Sequence, residues 1–161
     1  MSTRFDIAYG VGQITNNVLV YRPEEYSFDM EPAPIKNFTS ILIDDLNLEV
    51  DETGRVISIC GVCPHTRWTE VVLVPPLAER GVLFATTDRP LLRGVSVRLN
   101  PTKYLPTFVD RTTGWVRVKG QSTSSASVMV FPGVIVEITG QGEFSSLWLQ
   151  PRQGINRRNR A

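Results

Sequence analysis

Residues 48–59 read LEVDETGRVISI, and residues 136–147 read VEITGQGEFSSL. The two stretches match position for position: an alternating apolar strand, a polar turn that contains a glycine, and a second strand. This order is typical of a β-hairpin. A looser third copy, with one additional turn residue, runs from Val109 to Val118. The repetition therefore predicts a chain built from consecutive hairpins.

The rest of the chain favours the same fold class. Short runs rich in β-branched residues recur at intervals of roughly 8–12 residues, and turn-forming residues separate them. Apolar residues nowhere keep a helical spacing for more than about two turns. We therefore predict an all-β antiparallel domain with little helix, either a sandwich or a rolled sheet or barrel. Residues 22–34 hold three prolines and four acids, which predicts a loop.

The length of 161 residues predicts a single domain, which we place at residues 1–151, followed by a basic, disordered tail over 152–161. Residues 1–55 carry four cations and ten anions, a net charge of −6, and residues 56–161 carry thirteen and six, a net charge of +7. Four of the positive charges lie in the tail, so the net charge of +1 becomes −3 without it. This distribution does not indicate a core that binds nucleic acid.

The sequence also lacks the common signals for membranes and for catalysis. No apolar stretch approaches the roughly 20 residues that a bilayer span requires, and the segment from Met1 to Asp6 lacks the apolar region of a secretory signal. We therefore expect a cytoplasmic protein with no membrane span. Nucleophile-elbow, dinucleotide-binding and P-loop motifs are absent, so we expect no catalytic residues and no cofactor.

An acidic strand is the first candidate site. Residues 45–51 read DLNLEVD, and the alternation predicts that Leu46, Leu48 and Val50 face the core. The opposite face is then formed by polar side chains, which are those of Asp45, Asn47, Glu49 and Asp51. Such a face is either an ordinary solvated surface or a docking surface for a basic partner.

A second candidate surface combines an aromatic ring with cations. Val116 and Val118 are predicted to point inward, which leaves Trp115, Arg117 and Lys119 outside. Arg98 is expected on a similar face. An aromatic side chain beside two cations can stack on a base or sugar and hold a phosphate. The alternative is a tryptophan covered by a neighbouring loop or hairpin.

The third candidate is a C-x-x-C segment that runs from Cys60 to Cys63 and is followed by His65, the only histidine. A structural zinc site within one chain needs a fourth ligand, and no other Cys or His exists. Redox activity of this kind needs a cysteine at a helix N-terminus, whereas strands are predicted here. We favour structural thiols, and a redox or metal site at Cys60, Cys63 and His65 is the alternative.

Residues 110–118 and 142–151 resemble segments of small uncharacterised bacterial all-β proteins, some of which are immunity partners of secreted toxins. The resemblance implies an intracellular protein-binding role. We therefore predict a non-catalytic, immunity- or inhibitor-like protein that docks a basic, toxin-like protein through its acidic strand face. The alternatives are a module for nucleic acid or a phosphorylated small ligand, the Cys/His site, and a structural component of a larger assembly.

Overall fold

A computed structural model describes residues 2–10, 17–34, 36–100 and 104–152. The first seven strands are β1 (Thr3–Tyr9), β2 (Val18–Arg22), β3 (Ser27–Glu31), β4 (Thr39–Ile43), β5 (Leu46–Val50), β6 (Val56–Val62) and β7 (Thr69–Glu70). The next seven are β8 (Glu79–Thr87), β9 (Val97–Arg98), β10 (Thr107–Asp110), β11 (Trp115–Lys119), β12 (Ala126–Phe131), β13 (Val134–Ile138) and β14 (Phe144–Leu149). Helical turns of three residues lie at Pro23–Glu25 and His65–Arg67. No helix in the described part of the chain has the length and apolar character needed to cross a bilayer.

The strands form two sheets that pack face to face. The order in the eight-stranded sheet is β1-β8-β12-β13-β14-β11-β10-β7, and the order in the six-stranded sheet is β2-β3-β6-β5-β4-β9. Within the described residues, three neighbouring pairs are parallel, namely β7–β10, β8–β12 and β4–β9, and the others are antiparallel. The prediction of an all-β sandwich is confirmed. The sheets are mixed, however, because these three short pairings join strands that run in the same direction.

The core lies between the two sheets and follows the predicted alternation. Leu46, Leu48 and Val50 of β5 are at most 2% exposed. One continuous apolar cluster includes these side chains together with Val134 and Val136 of β13 from the other sheet. Complete burial of one such side chain contributes about 1.5–3 kcal/mol, so this shared layer is the main force that holds the sheets together.

The two sheets are copies of each other, related by an offset of 88 residues. Strands β2 to β6 and β10 to β14 adopt the same order. Their registers agree except along β12, where an irregularity between Met129 and Phe131 shifts the pairing with β13 by one residue. Leu48 pairs with Ile59 in one sheet, and Val136 pairs with Leu147 in the other. A shift of register also follows the same position in both sheets, after Glu49 and Glu137. The hairpin of β10 and β11, which resembles a third copy in the sequence, is therefore the counterpart of β2 and β3.

The duplicated turns use the same hydrogen bonds. In the first turn, Asp51 Oδ1 accepts hydrogen bonds from the backbone N–H groups of Thr53 and Arg55. In the second turn, the hydroxyl oxygen of Thr139 accepts hydrogen bonds from the N–H groups of Gln141 and Glu143. Asp51 and Thr139 thus play the same role in the two turns, because a carboxylate oxygen or a hydroxyl oxygen can accept hydrogen bonds from the backbone N–H groups of a tight turn.

Both turns also contact a single rung of the eight-stranded sheet. Phe5 of β1 pairs with Ala85 of β8. The N–H of Ala85 donates to the carbonyl of Gly54 at 2.8 Å, and the N–H of Phe5 donates to the carbonyl of Gly142 at 2.7 Å. The glycines adopt φ values of +86° and +81°, in the left-handed region that favours glycine. This rung therefore anchors both hairpins.

The loop predicted over residues 22–34 is wrong in part, because β3 lies within it and pairs with β2 and β6. Its prolines fall outside the strand, where they cannot remove a hydrogen bond from the ladder. Phe28 and Met30 alternate with acids and are buried. At the first residue of the predicted tail, the N–H of Arg152 donates to the carbonyl of Leu19 at 2.8 Å. The rest of that tail lies outside the described residues.

Candidate functional site

The outer face of the six-stranded sheet carries the predicted acidic strand at its centre, on β5. Four strands contribute one side chain each to a row across this face, which consists of Cys60, Asn47, Leu42 and Arg98. Val20 pairs with Asp29 on the neighbouring strands β2 and β3. The four predicted outward residues, Asp45, Asn47, Glu49 and Asp51, are all partly exposed. The predicted orientation of the strand is therefore confirmed.

Glu49 and Cys60 form a polar pair on this face. The Cys60 Sγ donates a hydrogen bond to Glu49 Oε1 at 3.1 Å. Burial, followed by this hydrogen bond and the charges of Glu49 and Asp29, raises the pKa of Cys60 to about 12. The thiol consequently stays protonated at neutral pH and is a poor nucleophile.

The acidic side chains on this face differ in how available their carboxylates are to a binding partner. Asp51 is occupied by the turn that it closes. Asp29, on the neighbouring β3, has 43% of its side chain exposed and lies 3.8 Å from the guanidinium of Arg22. Glu49 and Asp45 are partly exposed. The charge that this face offers to a partner is therefore carried mainly by Asp29 and Glu49.

The equivalent positions on the outer face of the eight-stranded sheet differ in side-chain identity and in burial. The offset of 88 residues replaces Asn47 by Ile135 and Cys60 by Trp148, while the glutamate is retained as Glu137. Trp148 Nε1 donates to Glu137 Oε1 at 2.5 Å. Glu137 is 7% exposed and Trp148 is 3% exposed. The same donor–carboxylate pair is therefore buried in one sheet and partly open in the other.

A segment that we call the strap, residues 71–78, covers that second face. It starts on β10, where the N–H of Val71 donates to the carbonyl of Val109, and it ends on β12, where the Ser127 hydroxyl donates to the carbonyl of Leu77. Leu73 packs in one cluster with Ile135 and Trp148. The strap is thus an apolar cover for the face that corresponds to the acidic one.

The side chains of the Trp/Arg/Lys candidate are mostly engaged within the protein. Trp115 packs edge-on against Trp148, with ring centroids 6.2 Å apart. The Arg117 guanidinium lies 4.9 Å from the centre of the Trp148 ring, and its Nε donates to the Ser146 hydroxyl at 3.1 Å. Lys119 is exposed. Trp115 and Arg117 are thus held in contacts within the protein, and this surface does not form an open platform on which a ligand ring could stack.

Arg98 does not join this group. It lies on β9, in the other sheet, and its guanidinium donates to the carbonyl of Asp44 at 3.0 Å. The predicted set of Arg98, Trp115, Arg117 and Lys119 is therefore split between the two sheets.

The Cys/His segment also separates into different environments. Both cysteines are free, with Cys60 on the outer face and Cys63 buried. Burial raises the pKa of Cys63 to about 11. The His65 ring stacks on Tyr26, with centroids 5.2 Å apart, and its Nδ1 lies 3.2 Å from the Tyr21 hydroxyl. Within the described residues, no group of three or more His, Cys, Asp or Glu side chains is placed to hold a metal ion.

A pocket that the sequence does not predict opens between the sheets. It has a volume of about 240 Å³ and lies between the β4–β5 turn, the end of β6 and the segment that leads into β10. The Arg67 guanidinium lies 3.8 Å from the centre of the Tyr104 ring at this pocket. Trp68 also lines it, and its buried indole N–H has no hydrogen-bond partner among the residues that the structure describes. No local motif marks these residues, because separate segments supply them.

Comparison with known proteins does not identify a family for this chain. No family model matches it, and no curated protein matches its sequence. The resemblance to immunity-like proteins stays a prediction.

Proposed function

We propose that the protein is a non-catalytic binding protein that docks a basic protein partner on the outer face of its six-stranded sheet. The observation that carries this proposal is the difference between two duplicated faces. One face buries Ile135, Glu137 and Trp148 beneath the strap, whereas the equivalent Asn47, Glu49 and Cys60 stay partly exposed. A face that keeps an exposed carboxylate where its duplicate buries one is suited to a partner outside the chain.

Charge supports the choice of a basic partner. Residues 1–55, which include β2 to β5, carry a net charge of −6. Complementary charge accelerates association and discriminates against partners of the wrong sign. An inhibitor or immunity protein in the cytoplasm would act in this way, by covering the basic working surface of its target.

No observation favours the nucleic-acid or phosphate alternative to the same degree. Arg117 is committed to Trp148 and Ser146, and Arg98 lies on the opposite sheet. The Cys/His alternative is disfavoured by the raised pKa values of Cys60 and Cys63, which keep both thiols protonated.

The test uses isosteric variants that remove charge and retain hydrogen bonds. The double variant Asp29→Asn, Glu49→Gln loses two carboxylates from the face, and the control variant Glu79→Gln, Glu143→Gln loses two exposed carboxylates from residues of the other sheet and its hairpin turn. Each protein is immobilised, partners are captured from the source cell, and the association rate of the purified partner is measured at low and high salt.

We expect the wild type and the control to capture the same basic protein. The face variant should associate about tenfold more slowly at low salt, with little change in dissociation. A face variant that captures and associates like the wild type contradicts the proposal.

A further inference from the structure

The duplication gives the strap a counterpart elsewhere in the chain. After β6, the chain crosses to the edge of the eight-stranded sheet at β10, where the N–H of Val71 donates to the carbonyl of Val109 at 3.0 Å. After β14, the counterpart of β6, it crosses the other way, and the N–H of Arg152 donates to the carbonyl of Leu19 on β2 at 2.8 Å. Because β2 is the counterpart of β10, the tail, residues 152–161, starts at the edge equivalent to the one where the strap starts.

The strap and the tail each match the chemistry of the face beside which they start. The apolar Leu73 of the strap packs on Ile135 and Trp148. The tail reads RQGINRRNRA and contains four arginines and no acidic residue. The face of the six-stranded sheet offers the partly exposed carboxylates of Asp29 and Glu49. An apolar segment thus covers the apolar face, and a basic segment starts beside the acidic one, where opposite charges attract.

The tail is also long enough to lie across this face. The order β2-β3-β6-β5 places β5 three strands from β2, which is about 14 Å at roughly 4.8 Å per strand. An extended chain advances about 3.3 Å per residue, so the tail spans about 16 Å from Arg152 to Arg157. The strap crosses from β10 to β12 between Val71 and Leu77. An extended tail therefore brings Arg157 level with Glu49 on β5.

We propose that the tail lies across the outer face of the six-stranded sheet, as the strap lies across the other, and that its arginines pair with Glu49 and Asp29. The tail then competes with the basic partner for one surface, and bound tail lowers the observed affinity for that partner. Only this competition rests on the proposed function, because the contact of the tail with the face needs no partner.

The experiment locates the tail with a nitroxide label in the purified 161-residue chain. The label is attached through Asn159→Cys, which retains all the arginines, in the background Cys60→Ser, which removes the partly exposed thiol. The broadening of backbone amide NMR signals by the label is then measured. We expect strong broadening at Asn47 and Glu49 on β5 and several-fold weaker broadening at the equivalent residues of β13.

Charge variants of the labelled protein test the ion pairs. The tail variant replaces three arginines, as Arg157→Gln, Arg158→Gln and Arg160→Gln. The control variant replaces three exposed cations on β8, on β11 and after β8, as Arg80→Gln, Lys119→Gln and Arg89→Gln. The tail variant should lose most of the broadening on β5, and so should the face variant Asp29→Asn, Glu49→Gln. The control variant should retain it, and salt at about 1 M should weaken it because the screening length falls to about 3 Å.

Equal broadening on β5 and β13, or unchanged broadening in the tail variant, overturns the proposal. This measurement uses the protein alone, so the contact of the tail stands or falls whether or not capture yields a partner. With a captured partner, the tail variant should bind several-fold more tightly than the control variant. Equal binding of the partner by the two variants would overturn the competition.

Discussion

At the scale of single residues, Gly54 and Gly142 tolerate little change. A Cβ atom at Gly54 would lie 2.3 Å from the carbonyl oxygen of Ala85, and one at Gly142 would lie 2.7 Å from that of Phe5. Both distances are shorter than any real contact, and the opposing atoms are backbone. Positive φ adds conformational strain to this clash.

We predict that Gly54→Ala and Gly142→Ala each lower the free energy of unfolding by about 3 kcal/mol. Gly94→Ala is the control, because its φ is +73° but no atom of the described residues lies within 4 Å of the Cβ that alanine would add. It should cost only about 1 kcal/mol, from strain alone. Urea denaturation measures all three, and equal losses would show that contact with β1 and β8 is unimportant.

The two thiols provide a second prediction at this scale. Burial, and for Cys60 also the hydrogen bond to Glu49, raises the thiol pKa values to about 12 and about 11. Only the thiolate reacts with iodoacetamide, so the folded protein at pH 8 should be alkylated on the order of a hundredfold more slowly than the urea-unfolded chain. Rapid alkylation of the folded protein would contradict these environments.

The same pKa values determine how stability depends on pH. An ordinary thiol ionises near pH 8.5 in the unfolded chain, whereas the folded thiols bind their protons more tightly. Their contribution is thus complete below about pH 8.5 and is lost as pH rises toward about 11 and 12. Cys60→Ser, which retains a donor for Glu49, should reduce this alkaline loss in denaturation measured between pH 8 and pH 11.

At the scale of elements, the strap depends on one carboxylate. Asp110 Oδ2 accepts a hydrogen bond from the N–H of Leu73 at 3.0 Å, and this bond is the main reason that the pKa of Asp110 is lowered. A lowered pKa means that the charged form stabilises the fold above about pH 4. That contribution disappears as pH falls through the lowered value.

We predict that Asp110→Asn loosens the strap and leaves the sheets intact. The protection of the Leu73 amide against hydrogen exchange, relative to its intrinsic rate at the same pH, should fall about tenfold or more, and wild type should show the same fall in protection on acidification. Asp88→Asn is the control, because Asp88 also has a lowered pKa but binds Ser2 far from the strap. Unchanged exchange at Leu73 in Asp110→Asn would mean that the apolar contacts of Leu73 hold the strap alone.

Much of this element structure can be predicted from alternation and turn residues. The clean pattern around Leu46, Leu48 and Val50 suffices to orient β5, and the polar turns around Gly54 and Gly142 suffice to place two hairpins. Strand β3 escapes prediction because Pro23 and Pro32 flank it closely and conceal the alternation of Phe28 and Met30. The duplication outside the two hairpins cannot be recognised from the sequence either. Equivalent strands of the two sheets retain only the inward or outward orientation of their side chains.

The candidate site is less predictable than the fold. The acidic face follows from one strand, and its side chains are neighbours in sequence. The pocket depends on Trp68, Tyr104 and the β4–β5 turn, which meet only after both sheets form. The burial of the Trp68 indole N–H, which has no partner in the described part of the chain, likewise exists only in the folded protein.

At the scale of the whole molecule, the duplicated halves are interlocked. Strands β1, β7 and β8 come from the first half, yet they complete the sheet that contains β10 to β14. Strand β9 comes from the second half and completes the sheet that contains β2 to β5 and β6. The strap, which also belongs to the first half, covers Trp148 of the second. Each half therefore lacks edge strands and apolar cover that the other half supplies.

We predict that fragments 1–90 and 91–161, divided at an exposed connection, do not fold separately but assemble when they are mixed. The fragment 91–161 contains Trp115 and Trp148 without the strap, so its fluorescence should resemble that of solvent-exposed tryptophan. Addition of fragment 1–90 should shift the emission to shorter wavelength and restore a single cooperative unfolding transition, as in the intact chain. A fragment 91–161 that unfolds cooperatively by itself would show that the exchange of strands between the halves is not required for the fold.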